Sequence, residues 1–254
     1  MKFFVKIYAL LLTITLFGCV NVVDDDDRKV DPVKVSEIYV QKSIEYIKTG
    51  NYAVALKDLK VAIDQNEDNI HAHNTIAMLY GRLGNSKKAE KHFNEAIDLD
   101  EKNSDVRHNY GTFLCSNGDY KKAEEQFLKA VSNPFYKQAK RSYVNAGICA
   151  EKSSDINKAG IYYLKSLRID SRFSPALAAM SELSLRQKKY KKAKFYLDRY
   201  RKKSALNAKT AWTGYQIEDA LGNRNLKSSY EILLKAKFPD SSETLKLLDY
   251  NNKK

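Results

Sequence analysis

Residues 70–96 read IHAHNTIAMLYGRLGNSKKAEKHFNEA and residues 104–130 read SDVRHNYGTFLCSNGDYKKAEEQFLKA. Displaced by 34 residues, the two stretches superpose Gly84 on Gly118, Ala89 on Ala123, Phe93 on Phe127 and Ala96 on Ala130. One further step of 34 backwards lands on Gly50, Ala55, Leu59 and Ala62. Tyr46, Tyr80 and Leu114 form another column. A fixed period of this length marks an array of repeated hairpins that bury their apolar faces on one another.

The columns have a mechanical reading. Two helices approach closely only where one side chain is small, so the alanines let the pair dock and the aromatic opposite fills the adjoining volume. The glycines supply the left-handed residue that ends the first helix, and Asn51 and Asp119 are expected to cap the second. The period slips by two residues at Ser132-Asn133-Pro134-Phe135-Tyr136, where proline forbids a helix, and resumes with Gly147, Ala159 and Tyr163. A fifth unit carries Tyr190, Ala193 and Leu197; a sixth carries Gly222 and ends at Pro239, with Trp212, Gly214 and Tyr215 near its columns. The pattern resembles the tetratricopeptide (TPR) repeat, which implies an all-α, right-handed superhelix of about six helix-turn-helix repeats. They occupy residues 36–241, starting near 36, 70, 104, 140, 174 and 208, and residues 242–254 with Leu245, Leu247 and Leu248 are expected to cap the array.

Composition agrees with helix. The 254 residues include only 10 Gly and 4 Pro, three cysteines are too few for a disulfide scaffold, and the formal charge is +13. At the N-terminus Lys2 and Lys6 precede an uncharged run, residues 7–17, too short to span a membrane. Residues 1–18 therefore read as an export signal. Leu16-Phe17-Gly18-Cys19 resembles a bacterial lipobox, which implies lipidation of Cys19 and a membrane anchor; the other reading is an ordinary signal peptide cut nearby. By resemblance to the lipoprotein sorting pattern, Val20 after the cysteine favours the outer membrane, facing the periplasm. Residues 19–35, with Asp24-Asp25-Asp26-Asp27, read as a lipidated flexible tether.

In TPR proteins the first helices line an inner groove that holds a partner segment. By that geometry the groove residues are Asn74, Met78, Arg82, His108, Asn109, Thr112, Arg141, Asn145 and Ile148. Asn109 and Asn145 occupy one position in successive repeats and either grip a partner's backbone or bridge neighbouring helices. Lys188, Lys189, Lys191, Lys192 and Lys194 form a basic run that reads as a solvated face or as a patch for acidic protein or lipid surfaces. No P-loop, Gly-x-Ser-x-Gly or His-Glu-x-x-His motif appears. His71, His73, His92 and His108 read as scattered, exposed imidazoles. No metal, cofactor, small-molecule substrate or nucleic acid is expected, and the chain reads as a binding protein with no enzymatic activity.

Three strings are more specific than a generic repeat: His108-Asn109-Tyr110-Gly111-Thr112-Phe113-Leu114-Cys115, Asn133-Pro134-Phe135-Tyr136 and Asn145-Ala146-Gly147-Ile148-Cys149-Ala150. With Asp198-Arg199-Tyr200, the Trp212 region and Phe238-Pro239-Asp240-Ser241-Ser242-Glu243, they resemble the type IV pilus biogenesis and stability lipoproteins, the PilW/PilF family. The resemblance implies a pilotin-type outer-membrane lipoprotein that assists localisation or multimerisation of the pilus secretin, or stabilises pili. Alternatives are a TPR lipoprotein of barrel assembly or murein synthesis, and an envelope enzyme whose repeats deliver substrate. Cys115 and Cys149 fall on first helices of adjacent repeats, where they are either a disulfide staple or two buried thiols.

Overall fold

The computed structural model describes residues 31–252. The expected signal peptide, Cys19 and the acidic stretch of the tether lie outside the described residues, as do residues 253–254. Within them thirteen α-helices follow one another with no strand. Six antiparallel pairs come first: α1 (Pro32–Lys48) with α2 (Tyr52–Gln65), α3 (Ile70–Arg82) with α4 (Ser86–Leu99), and α5 (Ser104–Ser116) with α6 (Tyr120–Val131). They continue with α7 (Ala139–Lys152) and α8 (Ile156–Ile169), α9 (Ser174–Arg186) and α10 (Tyr190–Arg201), then α11 (Ala208–Ala220) and α12 (Arg224–Lys237); α13 (Ser242–Asn252) closes the row. Each first helix packs on its partner and on the first helices of adjacent repeats, and no described helix reaches past the next repeat. This is the contact pattern of a one-dimensional stack.

The alanine column is the seam of every pair but the last. Ala55, Ala89, Ala123, Ala159 and Ala193 are fully buried, and one turn later Leu59, Phe93, Phe127, Tyr163 and Leu197 fill the space beside them. Contact is so close at Gly147 that a Cβ there would stand 2.4 Å from the Tyr163 ring. Repeat six solves the problem differently. Lys227 takes the small-residue position and reaches Asp219 at 2.7 Å, while the Tyr230 ring lies directly over Gly214.

The turn column runs through all six repeats. Gly50, Gly84, Gly118 and Gly222 have φ of +74 to +85°, and Ser154 and Lys188 adopt the same left-handed conformation at φ 67 and 57°. Those two non-glycine residues accept about 1 kcal/mol of strain each to keep the hairpin geometry. Helix caps differ from expectation. Neither Asn51 nor Asp119 caps with its side chain: Asn51 donates to Thr49 Oγ1 at 3.1 Å and Asp119 pairs with Lys122 at 3.0 Å. Asn69, Asn85, Asn103, Asp155 and Asn207 do accept from the first turns of their helices.

One boundary moves, and the cap is narrower than expected. Helix α1 begins at Pro32, a residue suited to a first helical turn, so residues 32–35 belong to the folded body and not to the tether. Of the three leucines of α13 only Leu247 is buried; Leu245 and Leu248 are exposed, so the cap seals through one leucine, aided by buried Thr244, whose Oγ1 donates to the Phe238 carbonyl at 2.8 Å.

Because Ala89 is fully enclosed between α3 and α4, Ala89→Trp is expected to overpack the pair and destabilise the chain by ~3 kcal/mol. Urea denaturation followed by circular dichroism reads this directly; a midpoint equal to that of the native chain would contradict the packing described.

Candidate partner-binding groove

Met78 on α3, Thr112 on α5 and Ile148 on α7 share one register position, which in α1 is Ile44. Ile44, Met78 and Ile148 leave 37%, 46% and 42% of their surface in water, unlike the other apolar residues of these helices that face the pair partner. One turn further, Arg82 is exposed and lies over the Tyr52 ring at 5.3 Å. Between α3 and α5 the surface opens into a recess of about 280 Å³ lined by Met78, Arg82, Phe93, Asn109, Thr112 and Phe113. A second recess, about 470 Å³, lies between α7, α9 and α11, with Ile148, Glu151, Glu182, Lys209 and Thr213 on its walls. The row of first helices thus offers apolar footholds with charged edges.

The asparagines sit beneath that row and bridge neighbouring helices. Asn109 Nδ2 donates to Asn74 Oδ1 at 3.2 Å, and Asn145 Nδ2 donates to Thr112 Oγ1 at 3.2 Å. His108 joins the seam: its Nδ1 lies 2.7 Å from Ser142 Oγ and its Nε2 3.4 Å from Asn145 Nδ2. A neutral ring protonated on Nδ1 satisfies both contacts, and burial holds its pKa below the ordinary histidine value, with Asp105 opposing and Arg141 reinforcing the shift. Arg141 itself is exposed on the first turn of α7.

Cys115 on α5 and Cys149 on α7 are joined as a disulfide with their Cα atoms 5.7 Å apart. The bond links repeats three and four across the irregular 132–138 connection, beside the seam formed by His108 and Asn145.

The basic run divides. Lys188 and Lys189 form the turn into α10, and Lys191 and Lys192 are exposed on its first turn. Lys194 departs from the expected patch: it turns inward to an ion pair with Glu218, a buried carboxylate on α11. Further along α10, Arg199 and Arg201 lie over Phe195 and Tyr230 respectively. The expectation of scattered, exposed imidazoles is overturned as well. His73 is buried, and its Nδ1 lies 3.1 Å from Nδ1 of His92 on the facing helix. Spacing within one helix could not reveal a meeting between helices.

Sequence reasoning missed a third recess, about 560 Å³, where Trp212 and Tyr215 of α11 stack at 5.3 Å and Tyr250 of α13 meets both edge-on. Its signal was present in the aromatic residues that stood off the repeat columns. Among the described residues no helix is long and apolar enough to cross a membrane.

Tetratricopeptide repeat family models match residues 70–103 and 92–125. The chain is 26% identical over 235 residues to the type IV pilus assembly protein PilF of Pseudomonas aeruginosa, covering 92% of this chain and 93% of that one. Its structure is similar to that of PilW, described as a widely conserved type IV pilus biogenesis factor, with a TM-score of 0.75 and 28% identity over 85% of this chain and 99% of that chain. The solved structure of Pseudomonas aeruginosa PilF matches with a TM-score of 0.75 and 24% identity, over 86% and 99% of the two chains. The chain is a homologue of these proteins and has the TPR superhelical fold.

Two measurements follow from this geometry. With 34 residues separating the bonded cysteines, Cys115→Ser is expected to cost ~2–4 kcal/mol; mass spectrometry of the non-reduced, alkylated chain is expected to find one peptide pair joined at 115 and 149. Since the folded pKa of His108 lies below the ordinary 6.5, the unfolded chain binds the proton more readily in the interval between them. Its contribution to stability is therefore complete above about pH 6.5 and is lost as pH falls through that interval. Thermal melts across that range are expected to show a smaller acid-side loss for His108→Gln than for the native chain.

Proposed function

We propose that this chain is a non-catalytic outer-membrane lipoprotein, anchored through Cys19, that faces the periplasm and promotes type IV pilus biogenesis by helping the pilus secretin reach the membrane or form its multimer. The observation that carries the reading is the exposed row of Ile44, Met78 and Ile148 along the first helices. Such a row suits an extended or helical partner segment with spaced apolar side chains, while Arg82 meets a carboxylate on the same segment. Homology over 92% and 85% of the chain to proteins named for pilus assembly and biogenesis supports the biological setting. The lipobox-like Leu16-Phe17-Gly18-Cys19 supports the anchor, and one further attachment aid is the exposed cluster Lys188, Lys189, Lys191 and Lys192, suited to an acidic protein surface or anionic head groups.

The test is deletion of the gene in the producing bacterium, scored for secretin multimers and surface pili, followed by complementation. Native protein is expected to restore both. A Met78→Glu, Ile148→Glu double variant, folded by circular dichroism, is expected to weaken secretin capture from solubilised membranes by roughly tenfold or more. Cys19→Ala is expected to give a soluble, folded and mislocalised protein. Normal secretin multimers and pili in the deletion strain would overturn the proposal.

A further inference from the structure

The position pair occupied by His73 and His92 recurs in each hairpin, and its chemistry changes from repeat to repeat. In repeat three it holds Arg107 and Gln126, which close on each other by a direct hydrogen bond of 2.8 Å, with Arg107 Nε donating to the Glu101 carbonyl at 3.0 Å. In repeat four it holds Tyr143 and Tyr162, stacked with centroids 6.3 Å apart. In repeat four Lys165 comes round one turn later and lies over both rings at 5.6 Å; in repeat two the residue at that position is a carboxylate, Glu95, on the face of α4 that carries His92.

Three ligand atoms converge there. His73 Nδ1 and His92 Nδ1 are 3.1 Å apart, and Glu95 Oε2 lies 3.0 Å from the first and 2.9 Å from the second. With both rings neutral, at most one proton lies among the three. His73 Nε2 lies 2.9 Å from the Glu67 carbonyl oxygen, an acceptor, so in the neutral ring the proton is on Nε2 and Nδ1 presents a lone pair. His92 Nδ1 then has at most one proton to offer. Glu95 Oε2 is buried with the two imidazole nitrogens beside it.

We propose that His73, His92 and Glu95 form a binding site for a divalent transition-metal ion of the zinc class, joining α3 to α4 in repeat two. A cation about 2.1 Å from each atom sits about 1.2 Å outside their plane. A tetrahedral ion would widen the triangle to edges of about 3.4 Å, a shift of a few tenths of an ångström. The outer shell is already built. The Glu67 carbonyl orients His73 in the way that second-sphere acceptors orient metal-bound histidines, Tyr80 stacks on the His92 ring at 5.8 Å, and Lys91 holds the other Glu95 oxygen at 3.5 Å. Two imidazoles and a carboxylate select zinc-class ions over the hard cations magnesium and calcium. The Glu95 side chain is about one-third exposed while its Oε2 is buried beside the imidazoles, so the site lies just beneath the surface. Phe93, next to His92 in the chain, lines the α3–α5 recess, so an ion here stiffens the hairpin that presents Met78 and Arg82.

The experiment uses the full chain, oxidised and stripped with a chelator, titrated with zinc chloride by calorimetry and melted with and without the ion. One zinc per chain is expected at this site, with a rise in Tm. His92→Gln copies the residue of the equivalent position in repeat three, Gln126, and Glu95→Gln keeps the side-chain shape, so both variants are expected to fold. Each is expected to weaken zinc binding at this site at least tenfold and to abolish the Tm rise, whereas His71→Gln and replacement of zinc by magnesium test specificity and are expected, respectively, to leave binding unchanged and to give none. Absence of zinc binding, or binding undiminished in both His92→Gln and Glu95→Gln, would overturn the proposal. Neither result depends on whether the chain acts in pilus assembly.

Discussion

Close approach between the two helices of each hairpin is the constraint on which everything else rests. A methyl group at Ala55, Ala89, Ala123, Ala159 or Ala193 is all that the seam admits, and the bulky side chain one turn later completes it. Once that distance is set, the left-handed turn residue and the register of the next hairpin follow, because each first helix must also lie against its predecessor. The inner face is a by-product of this regularity. Side chains that point away from both the partner and the neighbouring repeat, such as Met78 and Ile148, remain in water with no structural role to discharge.

Much of this was legible in the sequence because it recurs. The period located the pairs, the irregular connection at 132–138 and five of the small-residue contacts before any coordinates were needed. What escaped was non-periodic. Ser154 and Lys188 stand in the glycine column, and only the backbone reveals that they adopt the same conformation. Lys194 looks like one more solvated lysine until Glu218 arrives from the next repeat. His73 and His92 are 19 residues apart on different helices, so no within-helix spacing brings them together. Asn109 and Asn145 were ambiguous for a physical reason: an amide serves a neighbouring helix or a guest equally well, and here Asn74 and Thr112 take up their donors.

The recurring slot between paired helices shows how a repeat protein specialises without altering its architecture. Arg107 with Gln126, Tyr143 with Tyr162, and the histidine pair occupy equivalent positions yet use hydrogen bonding, ring stacking and converging lone pairs. Since every hairpin contacts only its neighbours, such an exchange perturbs at most two interfaces. Homologues can therefore diverge to 26% identity along nearly the whole chain while the superhelix persists.

A stack of this kind opens from its ends, one hairpin at a time, because the terminal units have the fewest partners. The bond between Cys115 and Cys149 lies near the middle of the array and spans the longest of its inter-repeat connections. An unzipping front moving inward from either terminus meets a covalent rung there, beside the His108–Ser142 and Asn145–Thr112 bridges between the same two repeats. Under tension the superhelix would stretch as two elastic halves riveted at their junction, and the rivet keeps the central pair of hairpins in register for re-zipping when the load is released.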